Sequence, residues 1–234
     1  MILLFSVILT LNVRRKAMRK IPFVENEYYH IYNRGVDKRD VFLEDRDFER
    51  FLLAMNLLNY EQDGLMIRWR DFKRTFPNEM LQGFLTLNVR KGDHLVEIVA
   101  YCLNSNHYHF ILKQGDNENG IKIFMQRLGN SYTKYFNEKN KRSGALFQGR
   151  FKSTHIEPNN FLRMSVYVNC NSEIHKIHSA KDYKWCSFPE YLGKESNQLC
   201  KKEVISNQFK NSQEYLEYAV ENISDFQERK QDEI

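Results

Sequence analysis

Hydrophobic and polar positions alternate every two residues in some parts of the chain and recur every three or four residues in others. The first pattern predicts strands. Runs rich in β-branched and aromatic residues occur at 95–102 and 107–113, separated by the turn-forming sequence Leu-Asn-Ser-Asn. They predict an antiparallel hairpin. An aromatic run at 27–34 predicts a first strand, and alternation over 145–157 predicts another, half-buried strand.

Apolar residues at helical spacing predict helices between and after these strands. The spacing is clearest over 45–60, over about 118–139, and over 158–175, where Pro158 begins the helix. A further amphipathic helix is predicted near 215–223. Together these elements predict an α+β fold: a predominantly antiparallel sheet of four or five strands, RRM-like or ferredoxin-like, with helices on one face and a helical C-terminal tail.

The chain divides into three parts on this interpretation. Residues 18–192 form the main domain, which carries an insertion at 61–94, and residues 193–234 form the tail. Residues 1–11 form an apolar run broken only by Ser6 and Thr10, but the cluster of basic residues follows it, which is the wrong order for a secretory signal. A short membrane-associating helix is one interpretation, and we favour the other, that 1–17 is a non-native extension and the natural start is Met18.

Composition limits the class of protein. The chain has 234 residues, 42% hydrophobic and 28% charged, which is typical of a folded globular protein. No stretch approaches the roughly 18 apolar residues of a membrane span, so we do not expect the chain to be an integral membrane protein. The four cysteines form no CxxC pair, which argues against a zinc knuckle. A reducing, cytoplasmic location is therefore the default expectation.

Charge is segregated along the chain. Between Lys122 and Lys152 there are eight Lys/Arg and one acid, a net charge of +7, whereas 213–234 holds seven acids and two bases. In the basic segment the cations alternate with aromatic residues, a mixture that binds single-stranded nucleic acid through phosphates and stacked bases. A solvated helix face above a row of core aromatic residues would give the same pattern.

Two short motifs contain side chains that could bind a metal or act as a nucleophile. His107 and His109 are two apart on a predicted strand, so both rings face the same side and could share a divalent metal. Tyr167 and Asn171 are four apart on a predicted helix, which places a phenol beside an amide oxygen. Each motif alone is common by chance, and only their combination indicates a site.

Other histidines and other motifs are weaker candidates. His175 and His178 could bind a metal, but without an acidic or cysteine partner they are interpreted as surface residues. His30 could join a site from the first strand, although a single histidine in an aromatic strand is more often packed. No P-loop, GxSxG or GxGxxG motif is present, which argues against nucleotide hydrolysis and serine-hydrolase chemistry.

The order of five motifs resembles the single-tyrosine HUH transposases of bacterial insertion sequences and their REP-associated relatives. The motifs cover most of the chain, and they are EYYHIYNRG, VAYCLNSNHYHFIL, LFQGRFKS, YVNCN and YKWCSFPEYLG. His109 and Tyr167 are 58 positions apart, a spacing typical of that family. The chain departs from it in its longer insertion after Tyr60 and in Asn171, where many members have Gln.

The resemblance implies an enzyme that cleaves and rejoins single-stranded DNA through a 5′-phosphotyrosine. Tyr167 would be the nucleophile, and His107, His109 and Asn171 would hold Mg²⁺ or Mn²⁺. The DNA would be flanked by a hairpin, and the protein could act as a homodimer or a monomer. Residues expected to contact the DNA backbone are Arg34, Lys134, Arg142, Arg150 and Lys152.

Two other functions stay open. A decayed or domesticated module would bind single-stranded nucleic acid without cutting it, and Tyr167 would then only pack. A metal-dependent phosphoesterase would use His107 and His109 but a water nucleophile.

Overall fold

The computed structural model describes residues 22–89, 94–194 and 198–231. The extension predicted at 1–17 lies outside these ranges. Within them, no helix combines the length and the apolar character needed to cross a membrane.

The core of the fold is an open, antiparallel sheet of four strands in the order β2-β3-β1-β4. The strands are β1 (Tyr28–Arg34), β2 (Val96–Asn104), β3 (His107–Gln114) and β4 (Lys152–His155). The predicted hairpin is therefore confirmed, as is the α+β class. The strand predicted over 145–157 is wrong in length: only four residues pair with β1, because Gly149, with φ of 71°, turns the backbone just before them.

Helices connect and follow the strands. Their bounds are α1 Asp45–Leu57, α2 Leu65–Thr75, α3 Leu81–Asn88, α4 Gly120–Lys139, α5 Phe161–Asn169, α6 Asn171–Ile174, α7 Phe188–Tyr191, α8 Glu203–Ser206 and α9 Ser212–Gln231. The single helix predicted over 158–175 is instead a 3-10 turn followed by α5 and α6, which are separated at Cys170. The insertion contains α2 and α3, which pack around Leu65 and Phe84.

Helices cover both faces of the sheet, whereas the sequence predicted helices on one face only. On the first face Phe110 packs with Phe51 of α1 and Phe124 of α4. On the second face Ile111 packs with residues of α5, α7 and α9. The reason is that β2 and β3 are hydrophobic on both sides, so each side must be buried.

The C-terminal helix α9 packs on α5, the helix that contains Tyr167. The buried Tyr215 hydroxyl accepts a hydrogen bond from Asn169 Nδ2 at 2.9 Å and lies 3.2 Å from Ser165 Oγ. Arg163 of α5 forms an ion pair with Asp225 of α9. Residues 212–231 are therefore part of the same core as the second sheet face.

The outer edge of β2 is covered by a short segment, 185–187, that lies between a 3-10 turn (Ala180–Asp182) and α7. Leu103 N–H donates to Trp185 O at 2.9 Å, and Ser187 N–H donates to Tyr101 O at 2.9 Å. This pairing satisfies backbone groups that an edge strand would otherwise leave open.

Candidate active site

The two histidines of β3 lie side by side on the second face of the sheet. Alternation along the strand places His107 and His109 on this face, and their ring centroids are 5.2 Å apart. His109 is buried and His107 is half-buried. The geometry agrees with the prediction that both rings face the same side.

Tyr167 and Asn171 reach the same place from the helices above. The Tyr167 ring is edge-on to His109, with 5.5 Å between centroids. Asn171 is fully buried, and its Oδ1 is 3.1 Å from His107 Nε2. The break at Cys170 therefore does not separate the two residues, and all four predicted residues converge on one face of the sheet.

His30 of β1 fixes the orientation of His109. The rings are stacked at 5.0 Å, and His30 Nε2 is 2.8 Å from His109 Nδ1. Burial lowers the pKa of His30 to about 4, so the ring is neutral at physiological pH. Because His109 uses Nδ1 for this hydrogen bond, Nε2 is the atom with which it would bind a ligand.

Asn104, at the end of β2, positions the other two groups. It is fully buried, and its Nδ2 donates to His107 Nε2 at 2.9 Å and to Asn171 Oδ1 at 2.8 Å. His107 Nδ1 donates to the Oδ1 of Asn106, so His107 Nε2 carries a lone pair. Asn104 thus holds two acceptor atoms 3.1 Å apart.

The Asn171 side chain also acts on the tyrosine. Its Nδ2 is buried and has no hydrogen-bond partner of normal geometry. Burial raises the pKa of Tyr167, and the Asn171 side chain opposes that shift. Formation of a phenolate would give the buried N–H a partner, since an N–H group donates more strongly to an anionic oxygen.

The donor set fits a small divalent cation. Two imidazole nitrogens and an amide oxygen are ligands that such ions accept in proteins. Within the described ranges no group of three or more His, Cys, Asp or Glu side chains is arranged to bind a metal. Asn171 would therefore be needed as the third protein ligand beside His107 and His109.

The residues predicted to contact DNA lie in two regions. Arg34 and Lys152 flank the histidines: both are exposed, Arg34 Nε contacts Gln148 Oε1 at 2.5 Å, and Lys152 Nζ is 5.9 Å from the Tyr32 ring. Arg150 is exposed in the turn before β4.

The other two belong to the opposite layer. Lys134 is exposed on α4 and pairs with Glu138, and Arg142 donates to Ala145 O just after that helix. Because α4 packs on the first face of the sheet, the structure does not bring these two residues to the histidines.

Three residues of this site have a larger role than the sequence predicts. The turn-forming composition gives Asn104 no role beyond the turn, yet a two-residue turn places it opposite His107, which the register shows. Tyr32, opposite His109 on β1, stacks on it at 5.7 Å. His30 was considered and given a packing role, but its hydrogen bond to His109 places it in the site.

His175 and His178 are exposed, as the sequence indicated. The His175 ring also contacts His107, with 5.2 Å between centroids.

Comparison with known proteins finds similarity in structure but not in sequence. No protein-family model matches the sequence, and no curated protein matches it. The fold is similar to that of a solved REP-associated tyrosine transposase bound to a REP hairpin, with 12% sequence identity and a TM-score of 0.46. The similarity covers 76% of this chain and 86% of that one.

Proposed function

We propose that this chain cleaves single-stranded DNA with Tyr167 as the nucleophile and rejoins it through a 5′-phosphotyrosine intermediate. The observation that carries the proposal is the convergence of one phenol, two imidazoles and one amide on a single sheet face. Tyr167 is 5.5 Å from His109 by ring centroids, and Asn171 Oδ1 is 3.1 Å from His107 Nε2. A packing role for Tyr167 alone would not require polar partners at these positions.

Mg²⁺ or Mn²⁺ is the proposed cofactor, with His107, His109 and Asn171 as its protein ligands. When bound, the cation supplies positive charge against a nonbridging phosphate oxygen and favours the phenolate. His30 would fix the ring of His109, and Asn104 would position the Asn171 oxygen. The cation would take the place of the Asn104 N–H at His107 Nε2, which has a single lone pair.

The reaction exchanges one phosphoester for another. The Tyr167 oxygen loses its proton and bonds to phosphorus, the bond from phosphorus to the 3′ oxygen breaks, and that oxygen takes up a proton. The Asn171 side chain, whose Nδ2 is buried, acts on Tyr167 in the direction that favours the phenolate. Because the phosphoester is retained, a second 3′-hydroxyl can reverse the step without ATP.

The half of the second face near β1 and β4 is the proposed path for the DNA strand. Tyr32 offers a half-buried ring beside His109, while Arg34 and Lys152 offer cations on the same face. Stacking and phosphate contacts of this kind suit an unpaired strand, because a duplex would not present its bases to the ring. We propose single-stranded DNA beside a hairpin as the substrate.

Covalent capture tests the proposal. The protein is incubated with oligonucleotides from both flanks of its gene, including the predicted hairpins, with Mn²⁺ or with EDTA. Each oligonucleotide carries a fluorophore at its 5′ end or its 3′ end. We expect a denaturing gel to show an adduct only with Mn²⁺ and only with the 3′ label, since a 5′-phosphotyrosine retains the 3′ fragment.

The other functions predict different gels. Binding of the strand without any adduct would favour the non-cleaving module. Cleavage that releases both labelled fragments, with no adduct at any time, would favour a phosphoesterase with a water nucleophile.

Replacing His30 by phenylalanine is expected to weaken Mn²⁺ binding about 10- to 100-fold, because His109 would lose the partner that orients its ring. Phenylalanine keeps the stack with Tyr32 but offers no acceptor. Calorimetric titration of Mn²⁺ measures the change, and His178→Gln, on the exposed surface, is the matched control. Equal affinity in His30→Phe and wild type would exclude this role for His30.

A further inference from the structure

Two buried cysteines face each other across the outer edge of the sheet. Cys102 of β2 and Cys186 of the covering segment are paired in an antiparallel bridge. Both are free thiols, with exposed fractions of 0% and 1%. Neither residue has a part in the proposed reaction.

Their backbone positions suit a disulfide. The hydrogen bonds of this bridge run between the residues on either side, from Leu103 to Trp185 and from Ser187 to Tyr101. Cys102 and Cys186 are therefore a directly opposed, non-hydrogen-bonded pair, for which Cα atoms lie about 4.5 Å apart with side chains on the same face. Disulfides span Cα separations of roughly 4.4 to 6.8 Å. The backbone need not move far for the bond to form.

Cys102 is also connected to the candidate active site. Its Sγ is 3.7 Å from Asn104 Oδ1, and Asn104 Nδ2 donates to both His107 and Asn171. The thiol hydrogen is thus one reason why the Asn104 amide has its present orientation. A disulfide has no hydrogen to donate, so oxidation would leave this buried oxygen without that donor.

We infer that Cys102 and Cys186 are a redox-active pair, and that their oxidation to a disulfide loosens the ligand set held by Asn104. The disulfide itself is independent of the proposed function, whereas its effect on cation binding rests on that function. Oxidation would lower the affinity for the cation, and reduction would restore it.

Hydrogen peroxide can serve as the oxidant. One thiolate attacks the peroxide, which yields a sulfenic acid and water, and the second thiol displaces a second water to form the S–S bond. The pair loses two electrons and two protons, and one peroxide becomes two water molecules. Burial raises the pKa of Cys186 well above its ordinary value, and since the thiolate is the reactive form, the reaction should be slower than that of an exposed thiol.

Mass spectrometry of the full-length chain tests the bond. Native protein is treated with peroxide, unfolded, alkylated and digested. We expect a peptide that links Cys102 to Cys186, with Cys170 and Cys200 alkylated. Four alkylated cysteines, a different link, or cysteines carrying only sulfinic or sulfonic acid after prolonged treatment would overturn the inference.

Mn²⁺ titration tests the coupling. We expect peroxide to lower Mn²⁺ affinity about tenfold and dithiothreitol to restore it. Cys186→Ala is the matched control, because it leaves the Cys102 thiol to donate to Asn104 but cannot form the disulfide, so its affinity should resist peroxide. Cys186→Ser serves the same purpose if the alanine variant fails to fold.

The outcomes distinguish formation of the disulfide from its effect on cation binding. A disulfide without change in Mn²⁺ affinity would overturn the coupling. A disulfide in a protein that binds no Mn²⁺ in either redox state would count against the proposed function while leaving the redox pair in place.

Discussion

Replacing Tyr167 by phenylalanine is expected to lower adduct formation by a factor on the order of 10³ or more, the loss typical when a nucleophile is removed. Only the hydroxyl is lost, because the phenylalanine ring can keep the contacts with His109 and with Phe226 of α9. The affinity for single-stranded DNA should stay within about twofold, since the phosphate and stacking contacts lie elsewhere. Gel capture of the adduct and fluorescence anisotropy of the strand measure the two effects.

Tyr32→Phe is the matched control for this experiment. Tyr32 is the other tyrosine whose ring packs on His30 and His109, at 4.9 Å and 5.7 Å between centroids. Its hydroxyl has no role in the proposed reaction, so the adduct should form at nearly the wild-type rate. An adduct that survives in Tyr167→Phe, or that disappears equally in both variants, would contradict the assignment of the nucleophile.

Replacing Asp47 by alanine is expected to lower the free energy of unfolding by about 3–5 kcal/mol, the usual cost of breaking a buried ion pair. The Asp47 carboxylate has no exposed surface and accepts hydrogen bonds from Leu43 N–H, Tyr135 Oη and Lys139 Nζ. The change would leave the buried Leu43 N–H and the Tyr135 hydroxyl without their acceptor, leave Lys139 with Glu44 alone, and remove half of the capping box of α1. Urea denaturation followed by circular dichroism measures the difference.

Asp45→Ala, two residues earlier, provides the control for that prediction. Asp45 also forms an ion pair, with Lys184, but its side chain is 64% exposed. We expect its loss to cost less than about 1 kcal/mol, because exposed ion pairs contribute little. If the two variants unfold at the same urea concentration, burial of the Asp47 carboxylate is not what stabilises this end of α1.

Hydrophobic periodicity predicted the elements whose own apolar residues define where they are buried. The hairpin of β2 and β3 and the helix α4 follow from local alternation and helical spacing, because each has enough apolar residues to define its own buried side. The break at Cys170 left no local signal, whereas the short β4 had one in Gly149, which the alternation over 145–157 concealed. The second helical layer depends on contacts with distant parts of the chain, although the apolar residues on both sides of β2 already indicated that two faces had to be covered.

The candidate site could be predicted only in part for a related reason. His107, His109, Tyr167 and Asn171 are recognisable because their chemistry and spacing are distinctive. His30 and Asn104 act through hydrogen bonds that depend on strand order and register, and a sequence without a known sheet order cannot supply these. Lys134 and Arg142 show the converse. Both belong to the basic segment 122–152, yet neither lies near the histidines.

The packing of α9 on α5 has a consequence for the time at which the site is assembled during protein synthesis. Tyr215 and Phe226, which contact Asn169 and Tyr167, leave the ribosome after every other described element except the end of α9 itself. A nascent chain that has already exposed its histidines and its tyrosine still lacks the helix against which α5 packs. On the proposed function, competence to cut DNA should therefore appear only after α9 has left the ribosome, so that products terminated before α9 would lack the packing that holds Tyr167 in place.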